Sequence, residues 1–174
     1  MNRSALHLVT DRTALPEDID GLLDAAYRYA VSLTHQPAEA EDLVHDAVLA
    51  LLRANASWER SYLFVTIRNR FIDLYRRNRK IAFVALEQED GSAVDPPDLT
   101  FEVPDVLETG ALERALAQLR TEEREALFLA VVEGYTAEEI GNLTARPRGT
   151  ILSLLHRTKK KLRQLLGGDG GADR

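Results

Sequence analysis

A chain of 174 residues, 45% of them apolar, with a formal net charge of −6 has room for one medium domain or two small ones. It has no cysteine, which excludes a disulfide framework, a zinc–thiolate site and thiol catalysis. The four histidines, His7, His35, His45 and His156, include no pair at ligand spacing on one helix, so neither a metal nor a cofactor is expected. The longest apolar run, residues 126–132, is far too short to cross a bilayer. Residues 1–20 carry Arg3, Asp11, Arg12, Glu17 and Asp18, unlike a secretory leader. A cytoplasmic protein without membrane insertion is the expectation.

Residues 1–16 read as a loose arm. From Ile19 the positions Ile19, Leu22, Leu23, Ala26, Ala30 and Leu33 recur at helical spacing and stop near Thr34, ahead of Pro37. A second helix covers about 38–54, with Ala40, Leu43, Val44, Ala47, Val48 and Leu51 on one face. The stretch NASWERS interrupts the pattern. A third helix over about 61–80 is expected to bury Leu63, Ile67, Phe71 and Leu74, with its arginines opposite.

Residues 86–108 hold eight acids, no base and three prolines, a composition that neither packs a core nor sustains a helix. They are expected to form an extended, mobile linker. Beyond it, Leu112, Ala115, Leu116 and Leu119 mark a helix over about 109–119. Thr121 is expected to open the next one, which runs to about Glu133 and stops at Gly134. Thr136 and Glu139 form a T-x-x-E capping box for a short helix over 137–143. Pro147 suits the first turn of a last helix, where its missing N–H costs nothing. No strand-like alternation and no internal repeat appear. The fold class is all-α: two small helical domains joined by a flexible acidic linker, the second carrying a helix-turn-helix.

The charge is segregated. Residues 1–52 sum to −6, 53–80 to +6, 86–108 to −8, 109–142 to −4 and 143–166 to +7. Two cationic blocks on separate modules suit nucleic acid held at two places, while the pI of about 5.3 opposes unspecific coating of DNA.

Three features carry chemistry. In the last helix Ile151, Leu155, Thr158, Leu162 and Leu165 fall on one face, with Ile140 expected to pack on Ile151 and Leu155. Gly149, Ser153, His156, Arg157, Lys160 and Arg163 fall opposite. That second face is polar, basic and free of acids, as a helix entering the major groove requires. The plainer alternative is a solvated amphipathic helix, which ordinarily mixes both signs. The block 69–80, NRFIDLYRRNRK, sets Arg70, Arg76, Arg77, Arg79 and Lys80 around Tyr75, cations beside an aromatic that suit a phosphate backbone with an unstacked base. Trp58 either stacks on a base or covers the core. The helix 40–52, AEDLVHDAVLALL, brings Glu41, Asp42 and Asp46 beside His45. It lacks the second histidine of a metal site, so no catalytic residue is expected; an acidic face with apolar Leu43, Val44 and Leu49 reads as a protein-docking surface.

Together and in this order, these stretches resemble a group IV, extracytoplasmic-function sigma factor of the bacterial sigma-70 family. The resemblance covers about 19–80 and 109–166. It implies a non-enzymatic transcription initiation factor with three parts: residues 1–85 for polymerase docking and the −10 element, 86–108 as the acidic linker, and 109–174 for the −35 element. It implies that Asp42, Leu43, His45, Asp46 and Leu49 meet core RNA polymerase at its clamp helices, with a further contact to the flap. It implies promoter DNA contacts from Asn69, Arg70, Asp73, Arg76 and Arg77, and from Arg148, Leu152, Ser153, Arg157 and Lys160. An anti-sigma factor is a further implied partner. His45 stands where glutamine is frequent, Tyr62 where tryptophan is, and the loop 54–61 is short. Gly141 replaces the usual alanine, at about 1 kcal/mol in helix propensity. Leu152 and Leu154 replace common cations; Leu152 is expected on the flank of the outward face and Leu154 in the core. The alternative readings are a stand-alone helix-turn-helix regulator and a sigma-like decoy for an anti-sigma factor.

Overall fold

A computed structural model describes residues 15–86 and 110–167, and all the regular structure in them is helical. Residues 1–14 of the arm expected over 1–16, and most of the expected linker, 87–108, lie outside the described residues. The first group of helices is α1 (Ile19–Thr34), α2 (Pro37–Ala54) and α3 (Arg60–Leu86). The second is α4 (Ala111–Ala117), α5 (Thr121–Val131), α6 (Ala137–Thr144) and α7 (Arg148–Gly167).

Local chemistry explains where these helices start and stop. The Asp18 carboxylate accepts the Gly21 N–H at 3.0 Å and caps α1. That helix ends on His35, and α2 ends on Asn55, both in the left-handed conformation; asparagine tolerates it better than most residues. Pro37 opens α2 at a position where its missing N–H is not needed. Arg120, rather than the expected Thr121, occupies the cap of α5, and its N–H is accepted by the Glu123 carboxylate at 2.9 Å. Gly134, at φ +72°, turns the chain after α5 as anticipated.

The first group is a three-helix core. Ala25, Ala26, Tyr29, Ala30 and Leu33 of α1 meet Ala40, Leu43, Ala47 and Leu51 of α2 and Leu63, Phe64 and Ile67 of α3, all buried. Each large side chain so enclosed contributes about 1.5–3 kcal/mol. Small alanines on α1 and α2 let the backbones approach closely, and Tyr29 stacks on Phe64 with ring centroids 4.5 Å apart. Leu74, expected inside, is 44% exposed. At about 1.5 Å per residue, the 27 residues of α3 outreach the 16 of α1 and the 18 of α2, so its C-terminal part has less to pack on. Leu112, also expected inside, is exposed on the one short turn of α4 that precedes the buried Ala115 and Leu119.

The second group closes on its own core and also on the first. Leu129, Ile140 and Ile151 belong to the same continuous buried cluster as the α1–α3 residues, with α5 lying on α1 and α6 reaching α3. The two groups therefore share one interior.

Candidate nucleic-acid interface

The helix-turn-helix is built around its turn. The Thr136 hydroxyl accepts the Glu139 N–H at 3.3 Å, and the Glu139 carboxylate accepts both the Thr136 N–H and its hydroxyl at 2.8 Å. Those bonds hold the Glu139 carboxyl below its ordinary value, the backbone bond contributing most. The helix closes on Ala145, in the left-handed conformation, and the Arg146 N–H donates to the Gly141 carbonyl at 2.9 Å. Gly141 is more than a helix-propensity cost. A Cβ there would lie 2.6 Å from the Arg146 carbonyl oxygen, so the turn is built around its absence. Pro147 sits one residue before α7, where its carbonyl accepts the Thr150 and Ile151 N–H groups at 2.9 and 3.2 Å.

On α7 the inward face is as the spacing predicts. Ile151, Leu154 and Thr158 are buried, Leu155, Leu162 and Leu165 half-buried. Thr158 satisfies its hydroxyl on the Leu154 carbonyl at 2.9 Å. Arg148, Gly149, Ser153, His156, Arg157, Lys160 and Arg163 are exposed, and Leu152 joins them at 45% exposure. Not every base is free for DNA. Lys161 pairs with Glu123 at 3.2 Å, tying α7 to α5.

The second cationic face lies on the later part of α3. Asn69, Arg70, Asp73, Arg76 and Arg77 are all exposed, while Phe71, Ile72 and Tyr75 are half-buried and anchor the helix. The side chains of Arg79 and Lys80 lie outside the described residues. Arg68 departs from the expected outward row: it is half-buried and pairs with Glu125 of α5 at 2.9 Å. Trp58 packs partly against the core, in keeping with a covering role.

On α2, Asp42, His45 and Asp46 are exposed and Leu49 is half-buried. Leu43 is a correction to the docking set. It is 1% exposed, since the positions at three- and four-residue spacing, Ala40, Leu43 and Ala47, all face α1 and α3. The apolar part of that surface is instead a shallow groove lined by Leu23, Tyr27, Glu41, Val44, His45 and Val48. The α1 residues in it belong to a partner helix, so the α2 stretch alone gave no sign of them. Among the described residues, no group of three or more acids and histidines is placed to hold a metal ion. No helix among them is long and apolar enough to cross a membrane.

Comparison with known proteins resolves what these two faces belong to. Sigma-70 region 2 matches residues 19–81 and sigma-70 region 4 matches residues 109–162. The chain belongs to the sigma-70 family. It is similar to the ECF RNA polymerase sigma factor EcfG of Rhodopseudomonas palustris, at 30% identity over 92% of this chain and 89% of that one. It is 29% identical to the ECF sigma factor SigE of Mycolicibacterium smegmatis over 90% of this chain, spanning 64% of that longer relative. Among solved structures it resembles the sigma factor RpoE of Bartonella quintana in complex with the anti-sigma factor NepR, with a TM-score of 0.65, 25% identity and 90% and 96% of the two chains covered. The region 2 match contains the acidic α2 and the cationic part of α3, and the region 4 match contains the helix-turn-helix.

Proposed function

We propose that this sigma factor binds core RNA polymerase through the α1–α2 surface and directs it to promoters through two cationic helices. Residues 1–85 act in docking and at the −10 element, 86–108 link, and 109–174 act at the −35 element. The observation that carries the reading is the segregation of exposed charge. Acids at Asp42 and Asp46 border an apolar groove, while the bases gather on α3 and on the outer face of α7.

At the upstream element, Arg157 on the exposed centre of α7 reads a base edge, Leu152 meets a thymine methyl, and Arg148 and Lys160 hold phosphates, with Ser153 between them. At the downstream element Asn69, Arg70, Asp73, Arg76 and Arg77 line the strand path. Asp42, His45 and Asp46 meet the polymerase clamp helices around the groove, and the flap is the second contact on polymerase. The protein acts in the cytoplasm as an initiation factor rather than an enzyme, and an anti-sigma factor is its natural regulator. Net negative charge outside the two faces weakens binding of the free chain to DNA, so that polymerase is needed for tight recognition.

Run-off transcription with purified core polymerase and a promoter library tests this reading. The expected result is a set of transcripts sharing two sequence elements and dependent on the added protein. Equal transcription from every template, or none from any, rejects it.

A further inference from the structure

Among the described residues, nothing requires a glycine at position 149. Gly149 is the second residue of α7 and is exposed on its outer face. Its φ is not left-handed, unlike that of Gly134, and a Cβ added to it meets no atom within 4 Å. Gly141, by contrast, is held to glycine by the Arg146 carbonyl. Glycine is also a poor residue for a helix, where alanine is favoured. The chain therefore carries a weaker helix at a place where its own atoms ask for no extra room. An empty Cβ position of this kind serves where a main chain comes close to something outside the molecule.

The neighbours of Gly149 indicate what approaches it. At about 100° per residue, Ser153, Arg157 and Lys160 fall within about 80° of Gly149 around the helix, and all three are exposed. From Pro147 to Leu166 there is no acid, so this side attracts a polyanion. Along the face the side chains lengthen: none at Gly149, a short hydroxyl at Ser153, a guanidinium at Arg157 and an ammonium at Lys160. The last two stand about 12 and 16 Å farther along the axis. Such a helix can rest its first turn on one DNA strand and span the groove beyond it, where long side chains are needed to reach base edges and phosphates. Arg148 lies about 100° round the axis from Gly149, on the flank, where its length does not hold the helix off.

We propose, resting on the reading of α7 as the −35 helix, that Gly149 is a positioning residue whose missing Cβ lets the main chain of α7 lie against the sugar–phosphate backbone. That contact sets the depth at which Leu152, Ser153 and Arg157 meet the bases. It depends on the absent side chain, and any side chain at 149 lifts the first turn away from the DNA whatever the base sequence.

Gly149→Ala and Gly149→Leu separate this role from one in folding, because stability and binding should move in opposite directions. Alanine and leucine both favour the helix and the added Cβ meets no atom of the chain, so Tm should hold or rise, by up to about 4 °C. Promoter affinity measured with core polymerase should nevertheless fall, by at least about fivefold for alanine and further for leucine. The loss should be equal on the native and on a scrambled upstream element, since backbone contact carries no sequence information. Gly110→Ala is the control: its Cβ also meets nothing within 4 Å, but it caps α4, and promoter affinity should not change. Unchanged affinity for both Gly149 variants overturns the proposal; so does a lowered Tm, or a loss confined to the native element. If the native protein with core polymerase binds no promoter, the sigma reading fails instead. Binding of the free chain to plain duplex at low salt then decides the contact: weaker binding by Gly149→Leu upholds it, and equal binding overturns it.

Discussion

Replacing Gly141 with alanine sets two effects of opposite sign against each other. Helix propensity alone favours alanine by about 1 kcal/mol, which taken by itself predicts a more stable protein. Sterics predict the reverse. The added Cβ would lie 2.6 Å from the Arg146 carbonyl oxygen, closer than real contacts allow, and that oxygen would have to retreat by about 0.4–0.8 Å. It cannot do so freely, because the Arg146 N–H is bonded to the Gly141 carbonyl at 2.9 Å. Overpacking costs about 1–3 kcal/mol and weakening that bond about 0.5–1.5 kcal/mol, which together exceed the propensity gain. A net loss of about 2 kcal/mol is expected, a fall in Tm of about 4–8 °C for a chain of this size. Thermal unfolding followed by circular dichroism measures it. An unchanged or higher Tm for Gly141→Ala would instead show that the turn before α7 is loose enough to take the Cβ. The same displacement tilts α7, so the variant should also lose preference for the upstream element.

Three further outcomes are expected. Asp42→Lys with Asp46→Lys should abolish association with core polymerase in pull-down while leaving Tm within about 2–4 °C, since both side chains are exposed; full transcription by the double variant contradicts the docking surface. Arg157→Ala should weaken promoter binding by the polymerase complex by about 1–3 kcal/mol and relax sequence preference, whereas Lys160→Ala should act evenly across sequences and reduce the salt slope by about one phosphate. The Glu139 carboxyl is held below its ordinary value of 4.5 by Thr136, so its contribution is complete above that value and is lost as pH falls through the lowered one. The Tm advantage of the native protein over Glu139→Gln should therefore shrink between about pH 7 and about pH 3; a constant difference would show that the cap charge contributes nothing.

Much of this architecture was legible in the sequence because local signals and apolar spacing agreed. Pro37, Gly134 and the Thr136–Glu139 box each marked a boundary by a local constraint, and the inward and outward faces of α7 followed from spacing alone, including buried Leu154 and flanking Leu152. What escaped was set by distant parts of the chain. Leu43 looked like part of a docking surface because its exposure depends on where α1 and α3 lie. Leu74 looked buried because spacing gives a face but not how far the neighbouring helices extend. Arg68 sits among bases that face outward, and only the approach of α5 brings Glu125 to it. The apolar groove needed Leu23 and Tyr27 from α1 beside α2. At Gly141 the sequence showed only a helix-propensity cost; the obstacle a Cβ would meet, the Arg146 carbonyl, needed the folded turn.

Under the proposed function, specific promoter recognition belongs to the complex with polymerase and not to the free chain. Equilibrium binding to one promoter duplex at fixed physiological salt, with and without core polymerase, tests it most directly. Weak, sequence-indifferent binding by the free protein and tight, sequence-specific binding by the complex are expected. Nanomolar, specific binding by the free protein, unchanged when polymerase is added, would contradict it.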